Sequence, residues 1–144
     1  MAALLLSGCE APTPLSLTNA AGPERVAAVT LPAPAPIRSS QALRLQAAQR
    51  IVQANPNGTY STPTPDVLLA IPVLEVELNA DGSVRRIMVL RRPKQAPETT
   101  QLAIDAVRRA APFGDVSSLP RPRKFIETFL FDDTKRFKPR TLDR

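Results

Sequence analysis

Few residues of this chain could carry out chemistry, because it contains no histidine and one cysteine, Cys9. Without histidine, the Ser-His-Asp and Cys-His arrangements of nucleophilic catalysis are impossible, and so are zinc sites built from histidine and cysteine. Two pairs of carboxylates remain, Glu75 with Glu77 and Asp132 with Asp133. Strand alternation places Glu75 and Glu77 on one outward face, where a solvated pair is far commoner than an acid/base pair. We therefore expect no enzymatic activity, no cofactor and no metal site.

Cys9 has another chemistry, because Leu6-Ser7-Gly8-Cys9 is similar to the lipobox of bacterial lipoproteins. In that pattern the cysteine sulfur receives a diacylglycerol, and the leader is cleaved just before it. A signal peptide also needs a basic start and about 7–15 apolar residues. Here the apolar stretch is short and no Lys or Arg precedes it. We interpret residues 1–8 as a truncated-looking lipoprotein signal segment, with the true start codon upstream. The alternative is an ordinary cysteine near a frayed N-terminus.

Residues 9–38 are predicted to form a disordered tether rich in proline and alanine. The segment ends in Leu31-Pro-Ala-Pro-Ala-Pro-Ile37. Alternating prolines disfavour both a helix and a central strand, and leave the polyproline II conformation open. Such a spacer could lift a domain off a membrane. A plain disordered leader is the alternative interpretation, and it predicts the same lack of fixed structure.

A folded domain is predicted over residues 39–144, beginning with a helix at 40–54. Leu43, Ala47 and Ile51 recur on one face of this segment. A serine at its start can accept a hydrogen bond from an unpaired amide, and the proline after Asn55 ends the helix.

Strands at about 72–78 and 84–91 are predicted to form an antiparallel hairpin. Apolar residues alternate with glutamates along the first strand, and a short turn containing Asp81-Gly82 leads into the second. The alternation of the second strand breaks once, which indicates a bulge near Arg85-Arg86.

A helix at 97–111 and a third strand at 124–131 complete the predicted domain. Pro97 suits the first helical turn, and Pro112 and Gly114 end the helix. A right-handed crossover brings the third strand beside the first. The predicted fold class is therefore α+β, a ββαβ unit with an antiparallel three-stranded sheet of order 2-1-3, one packed helix and a preceding N-terminal helix. Strands two and three are both expected to be sheet edges.

These elements together resemble the C-terminal domain of TonB/TolA-type proteins. The hairpin Leu74-x-Val76-x-Leu78-Asn-Ala-Asp-Gly82, the helix closing in Pro112-Phe113 and the proline-rich approach to Phe125 all match the pattern of that family. A family member that transduces energy has an inner-membrane helix, whereas this chain has a lipobox-like segment. The resemblance implies a periplasmic, lipid-anchored protein that binds envelope proteins. An energy transducer coupled to an outer-membrane transporter is the alternative.

The resemblance also implies a binding mode, in which a partner segment adds as a strand to the last strand of the sheet. The residues expected to contact the partner are Phe125, Glu127, Thr128, Phe129 and Phe131.

The residue after the cysteine bears on which membrane would hold the lipid anchor. Glu10 is not the aspartate that commonly retains lipoproteins in the inner membrane, which favours the outer membrane.

Basic side chains indicate a second surface, since the net charge is +6 at pH 7. Arg85, Arg86, Arg91 and Arg92 form the predicted basic face. Such a surface attracts polyanions. Nucleic-acid binding would favour exposed aromatics for stacking, and only 4% of the residues are aromatic. Anionic lipid or cell-wall polymer is the expected partner for this charge. We expect no nucleic acid, and a nucleic-acid-binding module is the alternative if the lipobox is spurious.

Overall fold

The structure is a computed structural model, and it describes residues 30–144. Cys9, the signal segment and most of the predicted tether lie outside the described residues. Within the described part, no helix is long and apolar enough to cross a membrane.

Two helices lie near the positions predicted for them. Helix α1 spans Ser40–Ala54, and the Ser39 hydroxyl caps it by accepting the N–H of Ala42 at 3.0 Å. Helix α2 spans Glu98–Ala110, one residue shorter at each end than predicted. Its small residues face inward, because Ala103, Ala106 and Ala110 are fully or almost fully buried. The helices therefore pack closely against each other and the sheet.

The sheet has four antiparallel strands, in the order β2-β1-β3-β4. Strand β1 spans Val73–Leu78, β2 Val84–Arg91, β3 Lys124–Phe131 and β4 Phe137–Pro139. The α+β class and the order 2-1-3 of the first three strands are confirmed. The pairing register shifts where Glu77 and Leu78 meet β2, which confirms the bulge near Arg85-Arg86.

The prediction of a three-stranded sheet is wrong in strand number, because β4 pairs with Phe129–Phe131. Strand β4 has three residues, too few to show a period of two along the sequence. Its pairing comes from packing, since the ring of Phe137 lies 5.1 Å from that of Phe129 and 5.4 Å from that of Phe131. Strand β3 is therefore an edge only over its first part.

One face of the sheet carries the core and the other is open. The core side chains come from both helices, from alternate positions of the strands and from the loops, and they include all five phenylalanines: Phe113, Phe125, Phe129, Phe131 and Phe137. Burying one such ring contributes roughly 1.5–3 kcal/mol. The phenylalanines therefore supply a large share of the stability of this small domain.

The tether was predicted to extend to residue 38, which is wrong for its last residues. The side chain of Ile37 is 2% exposed, and its N–H donates to the Asp115 carbonyl at 2.9 Å. Arg50 and Gln46 of α1 each donate to a backbone carbonyl of the segment, on Pro32 and Ala35, at 2.9 Å. Residues 31–37 therefore belong to the folded domain, because helix side chains satisfy the carbonyls that alternating prolines leave free.

Candidate functional site

The first part of β3 leaves backbone groups unpaired at the side of the sheet. The N–H of Phe129 donates to the backbone carbonyl of Pro72, and the N–H of Leu78 donates to the backbone carbonyl of Arg123. Since antiparallel strands direct alternate residues to opposite sides, the odd-numbered residues of β3 face β1. The N–H and C=O groups of Lys124 and Ile126 therefore point away from β1. Strand β4 begins to pair only at Phe129, so no strand in residues 30–144 covers them.

These free groups lie along a groove with a volume of about 860 Å³. Its lining includes the first half of α1 and the short 3₁₀ helix, Arg140–Leu142, that follows β4. The groove is lined by Ser40, Gln41, Arg44, Leu45, Lys124, Phe125, Ile126, Glu127, Thr128, Arg140, Thr141 and Arg144. Leu45 and Ile126 add apolar surface, since they are 41% and 45% exposed.

Glu127 is the one carboxylate in the groove lining, and it is 3% exposed. Its Oε1 accepts the N–H of Thr128 at 3.0 Å and that of Thr141 at 3.3 Å. Burial is the largest influence on this group and raises its pKa, although hydrogen bonds from Thr141 and Thr128 and the charge of Arg44 act in the opposite direction. Glu127 therefore holds the 3₁₀ helix against β3 and closes the free edge at Thr128.

The groove carries an excess of positive charge. Arg44, Arg140 and Arg144 are exposed, and none of them takes part in an ion pair among the described residues. Lys124 lies 2.5 Å from Glu75, on the open face of the sheet. Against these four cations the groove sets only the buried carboxyl of Glu127.

The side chains expected to contact a partner are not equally placed. The side chains of Phe125, Phe129 and Phe131 are buried in the core, so they are not available to a partner in the domain as folded. Phe129 and Phe131 also lie in the part of β3 that β4 covers. Thr128 and Glu127 line the groove. The groups of β3 that a partner strand could pair with are therefore the backbone N–H and C=O groups of Lys124 and Ile126.

Strand β2 is the complete free edge of the sheet. The backbones of Leu74 and Val76 face β3, so those of Glu75 and Glu77 face β2, and Ile87 and Val89 of β2 point outward. The prediction that the second strand is a sheet edge is therefore confirmed, and β2 is an edge along its whole length.

The predicted basic face is divided between the two ends of β2. Arg86 and Arg85 lie 3.0 Å and 3.5 Å from the carboxylate of Glu77. Arg91 and Arg92 are at the other end and are exposed, with no ion pair in the described part of the chain. Because Arg91 lies six positions after Arg85 along the strand, their backbones are about 20 Å apart. The four arginines therefore form two separate clusters, and one is partly neutralised.

Sequence reasoning missed Arg44, Arg140 and Arg144 as members of one site. They come from the first helix and from the basic tail, and only the pairing of β4 with β3 brings the tail to α1. A sequence signal did exist: Phe137 is an isolated aromatic residue in a basic segment that follows the turn residues Asp132 and Asp133.

No family model, no curated protein and no solved structure matches this chain. Among residues 30–144, no group of His, Cys, Asp or Glu side chains is arranged to hold a metal ion.

Proposed function

We propose that this domain is a non-enzymatic interaction module that receives an extended peptide segment of another protein along the free edge of β3. The observation that carries the proposal is the pair of outward-facing backbones, Lys124 and Ile126, at the base of the groove. An extended segment can complete such an edge with main-chain hydrogen bonds, while pockets beside it select side chains. Lys124 to Thr128 spans five residues, or about 16 Å of strand.

The geometry favours β3 over β2 as the receiving edge. An extended segment on β2 would meet solvent on its far side, whereas one on β3 would lie in a groove that α1 and the 3₁₀ helix help to line. The groove would exclude water from the new hydrogen bonds and so strengthen them. The segment would continue the line of β4, which leaves this position at Arg140.

Amide hydrogen exchange on the full chain tests strand addition directly. Random peptides displayed on phage are selected against the protein, and enriched peptides are synthesised. The amides of Lys124 and Ile126 should exchange quickly in the free protein and slowly in the complex, whereas the amides of Phe125 and Glu127 should be protected in both states. If no selected peptide protects Lys124 and Ile126, strand addition on β3 is wrong.

A pair of proline variants supplies the matched control. Ile126→Pro removes an outward N–H of β3, and Val89→Pro removes one of β2, and neither group pairs within the sheet. Circular dichroism checks that both variants fold. Peptide binding should be lost in Ile126→Pro and retained in Val89→Pro.

We further propose that a lipid on Cys9 holds the domain at a bacterial membrane, facing the periplasm. The support is Leu6-Ser7-Gly8-Cys9, followed by the proline-rich segment. Cells expressing the gene with its upstream codons are fed an alkyne-labelled fatty acid. The protein should take up the label and fractionate with membranes, whereas Cys9→Ser should do neither. An unlabelled wild-type protein would remove the lipid anchor from the proposal.

The partner would be another protein of the cell envelope. A photoreactive amino acid placed at Ile126 should crosslink to it in cells, and one placed at Leu90 on β2 should not. If the captured protein is an outer-membrane transporter, the energy-transducer alternative gains support. If only the Leu90 position or the arginines of β2 capture a partner, the β2 edge takes the role proposed for β3.

A further inference from the structure

The groove beside β3 can select the side chains of a bound segment as well as pair with its backbone, because the positive charges of the groove exceed its negative charges. Arg44 comes from α1, Arg140 from the 3₁₀ helix and Arg144 from the end of the chain, and all three line the groove. These three guanidinium groups are exposed and have no ion pair among the described residues. Guanidinium groups bind carboxylates through two parallel hydrogen bonds, so their presence favours acidic partners.

The buried carboxyl of Glu127 does not balance these arginines. Its Oε1 is already engaged by the N–H groups of Thr128 and Thr141, and the side chain is 3% exposed. Lys124 is the only groove cation with a recorded ion-pair partner in residues 30–144, and that partner, Glu75, projects from the open face of the sheet. A ligand bearing carboxylates would therefore meet three arginines without an ion-pair partner in residues 30–144, and one lysine that Glu75 already partly neutralises.

The positions of the charges along the strand define a pattern. Lys124 begins the free edge, and Arg140 follows Pro139, which pairs with Phe129 just beyond its other end. Cations therefore stand at both ends of the edge. Between them lies Ile126, which is 45% exposed, and Leu45 of α1 adds apolar surface to the same groove. The complementary segment is acidic at both ends and aliphatic in the middle.

We infer that the groove selects an extended acidic segment of another protein, about five residues long, with Asp or Glu flanking an aliphatic centre. The inference rests on the proposed function, since it assumes that the segment pairs with β3. It adds the chemical class of the partner. Complementary charge of this kind suppresses wrong partners and speeds association.

Binding of four capped synthetic peptides to the full chain tests the inference by fluorescence anisotropy. The first has a strand-forming aliphatic centre with two glutamates at each end. In the second and third, glutamine and lysine replace the glutamates. The fourth is the acidic peptide with proline at alternate central positions, so that it cannot pair as a strand.

The acidic peptide should bind about tenfold more tightly than the glutamine peptide at about 0.1 M salt, because several exposed ion pairs each contribute modestly. The lysine peptide should bind more weakly than both. The preference should shrink at about 1 M salt, where the screening length falls to about 3 Å. The proline peptide should not bind detectably, which separates strand pairing from simple attraction of charge.

Charge-removal variants locate the selection. The double variant Arg44→Gln with Arg140→Gln should lose most of the preference, since only Lys124 and Arg144 remain, and should still bind the glutamine peptide. The control variant, Arg91→Gln with Arg92→Gln, removes the same charge from the far end of β2 and should keep the preference.

Each remaining outcome is decisive. If the acidic and glutamine peptides bind equally, selection of acidic segments is wrong and strand addition stands. If no peptide protects the amides of Lys124 and Ile126, the proposed function is wrong and the inference is lost with it. If the proline peptide binds as tightly as the acidic one, the groove is only a site of charge attraction.

Discussion

Glu127 and Thr141 are joined by a hydrogen bond between a buried carboxylate and a backbone amide, since Oε1 of Glu127 accepts the N–H of Thr141 at 3.3 Å. The same oxygen accepts the N–H of Thr128, which lies immediately before the part of β3 that pairs with β4. The Glu127 side chain therefore occupies the N–H of Thr128, where the free edge stops, and holds the 3₁₀ helix that lines the groove. Its protonation and its replacement are open to direct measurement.

Glu127→Gln is expected to change the dependence of stability on pH. Burial raises the pKa of Glu127, so the folded protein holds this proton more tightly than the unfolded chain does. The stabilising contribution is full below the unfolded value of about 4.3 and is lost as pH rises through the higher folded value. Urea unfolding of the wild type and of Glu127→Gln, which keeps the acceptor oxygen, should show the wild type gaining stability relative to the variant as pH falls from 7 to 4.

Glu98→Gln is the control for that measurement, with the opposite sign. The pKa of Glu98 is lowered, chiefly by its hydrogen bond with Lys135, so its small contribution is present above the unfolded value and is lost as pH falls. A constant difference between wild type and Glu127→Gln across this pH range would contradict the prediction.

Gly82→Ala is expected to destabilise the domain by about 2–4 kcal/mol. Gly82 has a φ of +87°, and a Cβ there would lie 2.1 Å from the carbonyl oxygen of Gly114. Both backbones would have to move, and Phe113 donates its N–H to Gly82 across the same contact. Urea unfolding measures the change. Gly58→Ala is the control, because its Cβ would meet its nearest atom at 3.8 Å. Similar losses in the two variants would show that the close contact is unimportant.

Thr100→Val is expected to be neutral or stabilising, by up to about 1 kcal/mol. The Thr100 hydroxyl is buried and has no hydrogen-bond partner among residues 30–144, so a methyl group of similar shape removes an uncompensated polar atom. The adjacent Thr99 is equally buried, but its hydroxyl donates to the Ala96 carbonyl at 2.8 Å. Thr99→Val should therefore cost about 1 kcal/mol. Thermal and urea unfolding of both variants would refute the prediction if their order were reversed.

Arg50→Met is expected to cost roughly 2–4 kcal/mol, because it leaves two carbonyls without a donor. Arg50 is 7% exposed and donates to Ala110 at 3.2 Å and to Pro32 at 2.9 Å. The variant should also make residues 31–37 more accessible to proteases, which limited proteolysis detects. Gln49→Met, at an exposed position of the same helix, should stay within about 0.5 kcal/mol of wild type. Unchanged proteolysis in Arg50→Met would show that Ile37 and Gln46 hold the segment without Arg50.

The elements of the fold were predictable where a local pattern specifies them. The apolar periods around Leu43 and Leu74, the turn at Asp81-Gly82 and the prolines that bound α2 act over a few residues, so they are readable in one chain. Strand β4 was not predictable, because three residues are too few to show an alternating apolar pattern. Its position depends on the contact of Phe137 with Phe129 and Phe131.

The candidate site was predictable only in part, for the same reason. Inspection of the chain identified β3 as a strand and placed Glu127 on the face of the phenylalanines. It did not show that β4 covers Phe129 and Phe131, or that Arg44, Arg140 and Ile126 line the same groove. Such contacts join residues that are far apart along the chain, and side-chain packing selects them.

By itself, the sequence determined the α+β class, the order of the first three strands, the excess of positive charge and the lipobox-like segment before the domain. Each depends on composition or on contacts between near neighbours. Only the tertiary structure decided which part of β3 remains free, that residues 31–37 join the core, and which arginines share a groove. Those properties depend on the pairing of distant segments, which is decided by burial of apolar surface and satisfaction of backbone hydrogen bonds across the whole domain.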